Sequence, residues 1–367
     1  MLWQITIKAK NKNKRRRKFM KKTMKRMMAL ALAGLMAFSM AGCGKKEENS
    51  IKGERVRFIL GAGSTSGDTY LAANVAVNYL NNKLDLKGKI DPIGQANALQ
   101  EITTAKFADN NTMMIFHDNT WLSVVLGVYG DEYSLDNMIV GPRIAESKGS
   151  CFVVSKKAPY SNLVELADWM KDNPNEIVKV ACESGGSSHL AFIGVYNWMK
   201  EDYGDDVASR LKVFVAGSTE TKYQALWDGN CQMIFVDLST AEQYTKDGVE
   251  DQIAVKVAGL LTGERIEGKE YPTFAEQGVK MGDEPFDFTK EYCIFFTKDT
   301  PQEIVDEISS AMIEIGKDEN YVKELNDQGY EVHVISAEEN KKHMYEKRDI
   351  FAAVLKDAPS LDTLTAQ

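Results

Sequence analysis

The chain has 367 residues, 44% of them apolar, with 27 Gly and only 8 Pro, which is long enough for two domains and unlike disordered or fibrous chains. Twelve basic residues and no acid lie between Lys8 and Arg26; without them 33 basic side chains face 53 acidic ones, a net charge of about −20 against −8 for the whole chain. A body that acidic repels nucleic acid and anionic lipid, so a DNA or RNA role is disfavoured and any anionic ligand has to be held by local donors.

The basic stretch runs into an apolar segment, residues 27–40, broken by Gly34 and Ser39. These are the n-region and h-region of an export signal, and the apolar part is shorter than the ~20 residues of a spanning helix. Ser39-Met-Ala-Gly-Cys43 then places small residues before a cysteine, and a polar tether, residues 43–54, follows. The segment resembles the lipobox of bacterial lipoproteins. That resemblance implies lipidation of Cys43 and anchoring to the outer face of the bacterial cytoplasmic membrane, or a periplasmic location, with two acyl chains holding well where one holds marginally. An ordinary signal peptide or an N-terminal anchor is the plain alternative. The stretch before Met20 or Met24 is long for an n-region, so the leader, residues 1–42, is expected to begin upstream of its true start.

Residues 55–60 read as a strand that delivers the chain into Gly61-Ala-Gly-Ser-Thr-Ser-Gly-Asp68, with a helix over residues 70–80 behind it. A second strand is hard to place around residues 89–92. A helix over residues 99–106 precedes a strand at 112–116, which leads into His117-Asp-Asn-Thr120. Residues 150–155 form the next strand, and Ser161 is the expected N-cap of a helix with Leu163, Leu166, Ala167 and Met170 on one face. Asn173-Pro174 stops it. A strand at 177–181 enters Ser184-Gly-Gly-Ser-Ser-His-Leu190 and a helix over residues 189–198. The design recurs with a strand at 211–215, the loop Ala216-Gly-Ser-Thr-Glu220, a helix to Leu226, and a strand at 231–236 ending in Asp237. From Pro301 the tail is expected to be helical, with a short strand at 331–335 and a last helix from Ala337. Strands alternating with helices predict a mainly parallel α/β design, which places ligand loops at the strand C-termini.

Four such loops share one composition: residues 63–68, 117–120, 184–189 and 217–221. Glycine lets backbone approach a ligand, hydroxyls donate and accept, and the first N–H groups of a following helix lack internal partners and favour a carboxylate. Any one of these loops taken alone reads first as an ordinary helix cap; several on one sheet edge favour binding. Asp68 and Asp237 would accept hydrogen bonds from a ligand or bond to their own turns, and Trp121 is the tryptophan expected to border the cleft. His189 with Cys182 or Ser187 could form a nucleophile and base, but such a pair needs ~3 Å contact and an orienting third group. G-x-S-x-G, the P-loop and the dinucleotide fingerprint are absent from the sequence, so no cofactor and no catalytic residue is expected. His117, His189, His333 and His343 make no metal-ligand spacing with each other or with the cysteines, which argues against a metal. Cys151, Cys182, Cys231 and Cys293 read as buried thiols.

In their order, Pro159-Tyr-Ser-Asn-Leu-Val-Glu-Leu166 with Lys171-Asp-Asn-Pro174, the Ser184–Leu190 segment, Val215-Ala-Gly-Ser218 and Tyr271-Pro-Thr-Phe-Ala-Glu-Gln-Gly278 resemble the extracytoplasmic solute-binding receptors of the tripartite tricarboxylate transporter family, also called Bug-type receptors. The likeness runs from Val56 to the C-terminus. It implies a two-domain, periplasmic-binding-protein-like α/β fold of type II, a Venus flytrap with the ligand in the cleft between the domains. The domains implied are residues 55–150 with 256–367, and 151–255. The resemblance further implies a small carboxylate, a di- or tricarboxylate or related organic acid, delivered to integral membrane permease subunits by a lipid-anchored monomer without chemistry. Ligand contacts then fall to Ser64, Thr65, Ser66 and Asp68, to Ser184, Gly186, Ser187, Ser188 and His189, and to Gly217, Ser218, Thr219 and Asp237, and the composition of the 117–120 loop adds Asp118 and Asn119. The sequence departs from the family's pattern at Ala72, where an Arg is usual, and in residues 91–97 and 108–113. The alternatives are a receptor for an ATP-driven importer or sensor taking a phosphonate, amino-acid-like or aromatic ligand, and an exported α/β hydrolase.

Overall fold

The computed structural model describes residues 49–65, 67–104, 111–355 and 361–365; the expected leader, Cys43 and Ser66 lie outside the described residues. Residues 51–367 form one compact unit, which is the body described below. Among the described residues no helix is long and apolar enough to cross a membrane.

The first half of the body opens with β1 (Arg57–Leu60), α1 (Asp68–Leu84), β2 (Lys89–Pro92), α2 (Gln95–Thr104), β3 (Thr112–Phe116), α3 (Asn119–Val125) and the long β4 (Met138–Ser147). Then come β5 (Ser150–Ser155), α4 (Leu163–Asp172), β6 (Val178–Cys182), α5 (Ser187–Tyr203), α6 (Asp205–Ala208), β7 (Leu211–Val215), α7 (Thr219–Trp227), β8 (Met233–Asp237), α8 (Leu238–Ala241) and β9 (Val255–Leu260). A small hairpin of β10 (Lys280–Met281) and β11 (Glu284–Pro285) precedes β12 (Lys290–Thr297), α9 (Gln302–Ile315), α10 (Glu319–Asn326), α11 (Ala337–Leu355) and α12 (Leu361–Leu364).

The strands make two five-stranded sheets of one design. The first runs β2-β1-β3-β12-β4 and the second β7-β6-β8-β5-β9. Parallel pairing joins β1 to β2 and β3, and β6 to β7 and β8, while β12 and β5 run antiparallel to both of their neighbours. The expected mainly parallel sheets are therefore mixed, each with one reversed strand in the fourth position. This is a two-lobed α/β fold of the periplasmic-binding-protein type, and in both lobes the parallel strands send their C-terminal ends toward one cleft.

The local reasons are legible. Helix α1 turns Ala72, Ala73, Val75, Ala76, Val77 and Leu80 inward and ends on a left-handed Asp85 at φ 53°. In α5 residues 187–195 are all buried, so that helix is wrapped by protein rather than amphipathic. Asn162, not Ser161, caps α4: its side chain accepts from the Glu165 N–H at 2.9 Å, and the Glu165 carboxylate accepts from the Ser161 N–H at 2.7 Å. Residues 331–335 form two isolated bridges, Glu331 to Glu146 and Ile335 to Arg143, in place of the expected strand. Trp121 is 1% exposed and packs on Phe351 of α11, away from the cleft it was expected to border, because α3 turns its apolar side onto the C-terminal helix. β9 pairs along β5 at the edge of the second sheet, and Thr365 makes an isolated bridge to Val213 on β7.

Candidate functional site

Between the lobes lies a cleft of about 540 Å³, a volume typical of small-molecule sites. Its first wall is the loop after β1, with Gly63, Ser64, Gly67 and Asp68, together with Gly94, Gln95, His117 and Asn119; its second is Glu183, Ser187, Ser188, Gly217, Ser218, Thr219 and Lys222. Asp237, Lys290 and Tyr330 line it as well. Helices α1, α5 and α7 begin at this cleft, so the positive ends of their dipoles favour negative charge there, while Asp68, Asn119 and Ser218 each accept from one first-turn N–H.

The expected residues divide by what they touch. Ser64, Asp68, Asn119, Ser187, Ser188, Gly217, Ser218, Thr219 and Asp237 all line the cleft, whereas Thr65, Asp118, Ser184, Gly186 and His189 do not. Asp118 is fully buried: it accepts from the Glu291 N–H at 2.7 Å and pairs with Lys347 at 2.7 Å, which ties α3 to β12 and α11. Gly186 is buried against Asn119; a Cβ there would stand 2.6 Å from the Asn119 amide nitrogen. That approach lets Asn119 Oδ1, from the first lobe, accept from the Ser187 N–H at the start of α5 at 3.0 Å. Ser188 Oγ accepts from the Glu183 N–H at 2.8 Å, and Ser218 makes a capping box with Thr221, so both hydroxyls brace their loops.

His189 also braces its loop. Its Nδ1 accepts from the Gly185 N–H at 3.3 Å, and burial pushes the imidazole down to about 4, so it is neutral at pH 7. Burial likewise lifts the Cys182 thiol to about 12, and no hydrogen bond joins His189 to Cys182 or Ser187 among the described residues. A nucleophile with its base is therefore not assembled here. The four described cysteines are free and buried.

At the floor of the cleft stands a residue that no motif singles out. Lys290, 4% exposed, reaches Asp68 at 2.5 Å and Asp237 at 2.9 Å, and so joins the start of α1 in one lobe to the end of β8 in the other. Burial opposes its charge, but the carboxylates of Asp237 and Asp68 outweigh that and hold the ammonium well above the usual lysine value. Burial also opposes ionisation of Asp68, yet the Lys290 ammonium together with the Tyr292 hydroxyl, which donates at 2.6 Å, keeps it below the ordinary carboxylate range. Burial and the neighbouring Asp68 charge lift Asp237 above that range, with Lys290 opposing. His117 is pushed down to about 3, chiefly by burial and by Lys290.

Lys222, on α7, differs from Lys290. It is 6% exposed, its ammonium lies 5.6 Å from the centroid of the Phe235 ring, and among the described residues it has no hydrogen-bond or ion-pair partner. Burial lowers its affinity for a proton, with Glu183 opposing. No motif announces Lys222; its helical position three residues beyond Thr219 in a loop already suspected was the available signal.

The model of the tripartite tricarboxylate transporter family receptor matches residues 140–358, more than half of the chain. The chain belongs to this receptor family. As one of these receptors it is an extracytoplasmic, non-catalytic, carboxylate-binding protein that works with a membrane permease system. The receptor's fold is also that of MatC from Rhodopseudomonas palustris with bound malate, at a TM-score of 0.68 and 17% identity over 82% of this chain and 99% of that one. An R. palustris protein with adipate gives 0.68 and 16% over 83% and 96%, and the periplasmic binding protein BugD gives 0.66 and 15% over 85% and 99%. No curated protein matches the receptor's sequence.

Proposed function

We propose that this receptor captures a small carboxylate, a di- or tricarboxylate or related organic acid, in the cleft between its lobes and hands it to integral membrane permease subunits. The observation that carries the reading is Lys222, a buried ammonium that lines the cleft unpaired beside the N-termini of three helices. Lys290 cannot play that part, since two carboxylates already neutralise it. Ser64, Asp68, Asn119, Ser187, Ser188, Gly217, Ser218, Thr219 and Asp237 shape the pocket, and the neutral His189 and buried Gly186 set its second wall from behind. The two sheets are the two moving domains, and closure over the solute is the signal the permease reads. The receptor works as a monomer held to the outer face of the membrane through lipidated Cys43.

Calorimetry on the purified body against malate, adipate, citrate and other small carboxylates tests this. One-to-one binding of at least one acid is expected, with at least tenfold weakening in Lys222→Met. A folded protein that takes none of a broad carboxylate panel refutes it.

A further inference from the structure

The charges that line the cleft do not suit a ligand that is purely anionic. Asp68, Glu183, Glu220 and Asp237 carry four negative charges, Lys222 and Lys290 two positive ones, and His117 is neutral, so the side chains lining the cleft sum to about −2. A dicarboxylate would bring two more negative charges into this space. Asp68 and Asp237 are occupied by Lys290.

Glu183 is not so occupied. It follows β6, is partly buried and lines the cleft; its backbone N–H donates to Ser188 Oγ at 2.8 Å, and its carboxylate has no hydrogen bond or ion pair among the described residues. Burial raises its affinity for a proton, with Lys222 opposing. Lys222 and Glu183 feel each other electrostatically, yet no ion pair within 4.0 Å joins them. A buried cation and a partly buried anion therefore line one cavity without an ion pair between them, and each lacks a charged or hydrogen-bonding side-chain partner among the described residues.

Resting on the carboxylate reading above, we propose that the solute is a carboxylate that also carries an amino group, with its carboxylate on Lys222 and its ammonium on Glu183. A zwitterion of that kind satisfies both side chains and adds no net charge beyond any second carboxylate. An anion without the amine leaves Glu183 unpaired and facing it. Glu183 is then the residue that sets specificity, and Lys222 the residue that sets affinity.

Matched ligands that differ in the amine alone test this on the unaltered protein: succinate against aspartate, glutarate against glutamate, propionate against alanine, with malate as the hydroxyl control, each by calorimetry at pH 7.5. At least one aminated member should bind ten times or more tighter than its partner and than malate, and Glu183→Gln should shrink that ratio at least tenfold while its unfolding transition without ligand stays cooperative. If the unaminated or hydroxylated acids bind as tightly as the aminated ones, this inference falls and the carboxylate reading stands. If Glu183→Gln weakens both members of a pair equally, Glu183 is not the discriminating group and the inference also falls. No binding by any member of any pair overturns this inference, and the carboxylate reading falls with it only if adipate, citrate and the rest of the wider panel also fail to bind.

Discussion

His189 shows how a residue that looks chemical can be architectural. The imidazole accepts from the Gly185 N–H, is 4% exposed, and is pushed by burial to about 4 from an ordinary 6.5. A group whose folded-state pKa is depressed stabilises the fold above its unfolded pKa, and that contribution drains away as pH falls through the window down to the folded value. Here the window runs from about 6.5 to about 4. Urea unfolding at pH 7.5 and pH 5 should therefore show a loss on the order of 2 kcal/mol from this site. Gln can still accept from Gly185 but cannot take up a proton, so His189→Gln should lose correspondingly less between the two pH values. Equal losses in both proteins would assign the acid sensitivity elsewhere, with buried His117 the next group of the same sign.

Between elements, the start of α5 is where the lobes meet. Gly186 leaves room for Asn119, whose Oδ1 caps the Ser187 N–H across the cleft. Gly186→Ala pushes a methyl toward the Asn119 amide and should break this contact while both sheets stay intact. Carboxylate affinity should drop about fivefold to fiftyfold, the scale of a lost hydrogen bond with some repacking, and the unfolding free energy should change by less than about 1 kcal/mol. An unchanged affinity would mean that the Asn119 contact takes no part in ligand retention. Element placement was largely readable beforehand: β3, β5 and β7 lie where their apolar runs put them, and the loops after β1, β6 and β7 do meet at one cleft. β12 was not readable. Lys-Glu-Tyr-Cys-Ile-Phe-Phe-Thr has no alternation, because all eight residues are buried between two neighbouring strands and covering helices. Its two charged members are tolerated by partners distant in sequence, Asp68 and Asp237 for Lys290 and Arg143, His343 and Lys347 for Glu291. Such pairings leave no local pattern, and so the floor of the cleft stayed hidden while its rim was visible.

For the whole molecule, that hidden strand decides how the lobes are held. Lys290 belongs to the first sheet, yet it binds Asp237 at the end of a strand in the second, and Asp68 at the start of α1. The three charges form one buried unit across the base of the cleft, with Asp68 and Asp237 each about one-fifth exposed. Removing the cation leaves two carboxylates close together with nothing between them. Breaking a buried pair by deleting one partner costs about 3–5 kcal/mol, chiefly because the surviving charge stays desolvated. Lys290→Met should therefore lower the unfolding free energy by about 3 kcal/mol and increase the radius of gyration of the ligand-free protein in solution scattering, as repulsion between Asp68 and Asp237 pushes the lobes apart. Adding Asp237→Asn to Lys290→Met takes away that repulsion, so the double variant should recover more than half of the lost stability and return the radius toward that of the unaltered protein. If the second change instead adds its own full cost, Asp237 is not coupled to Lys290 and the lobes are held by other contacts, among them that of Asn119 with Ser187.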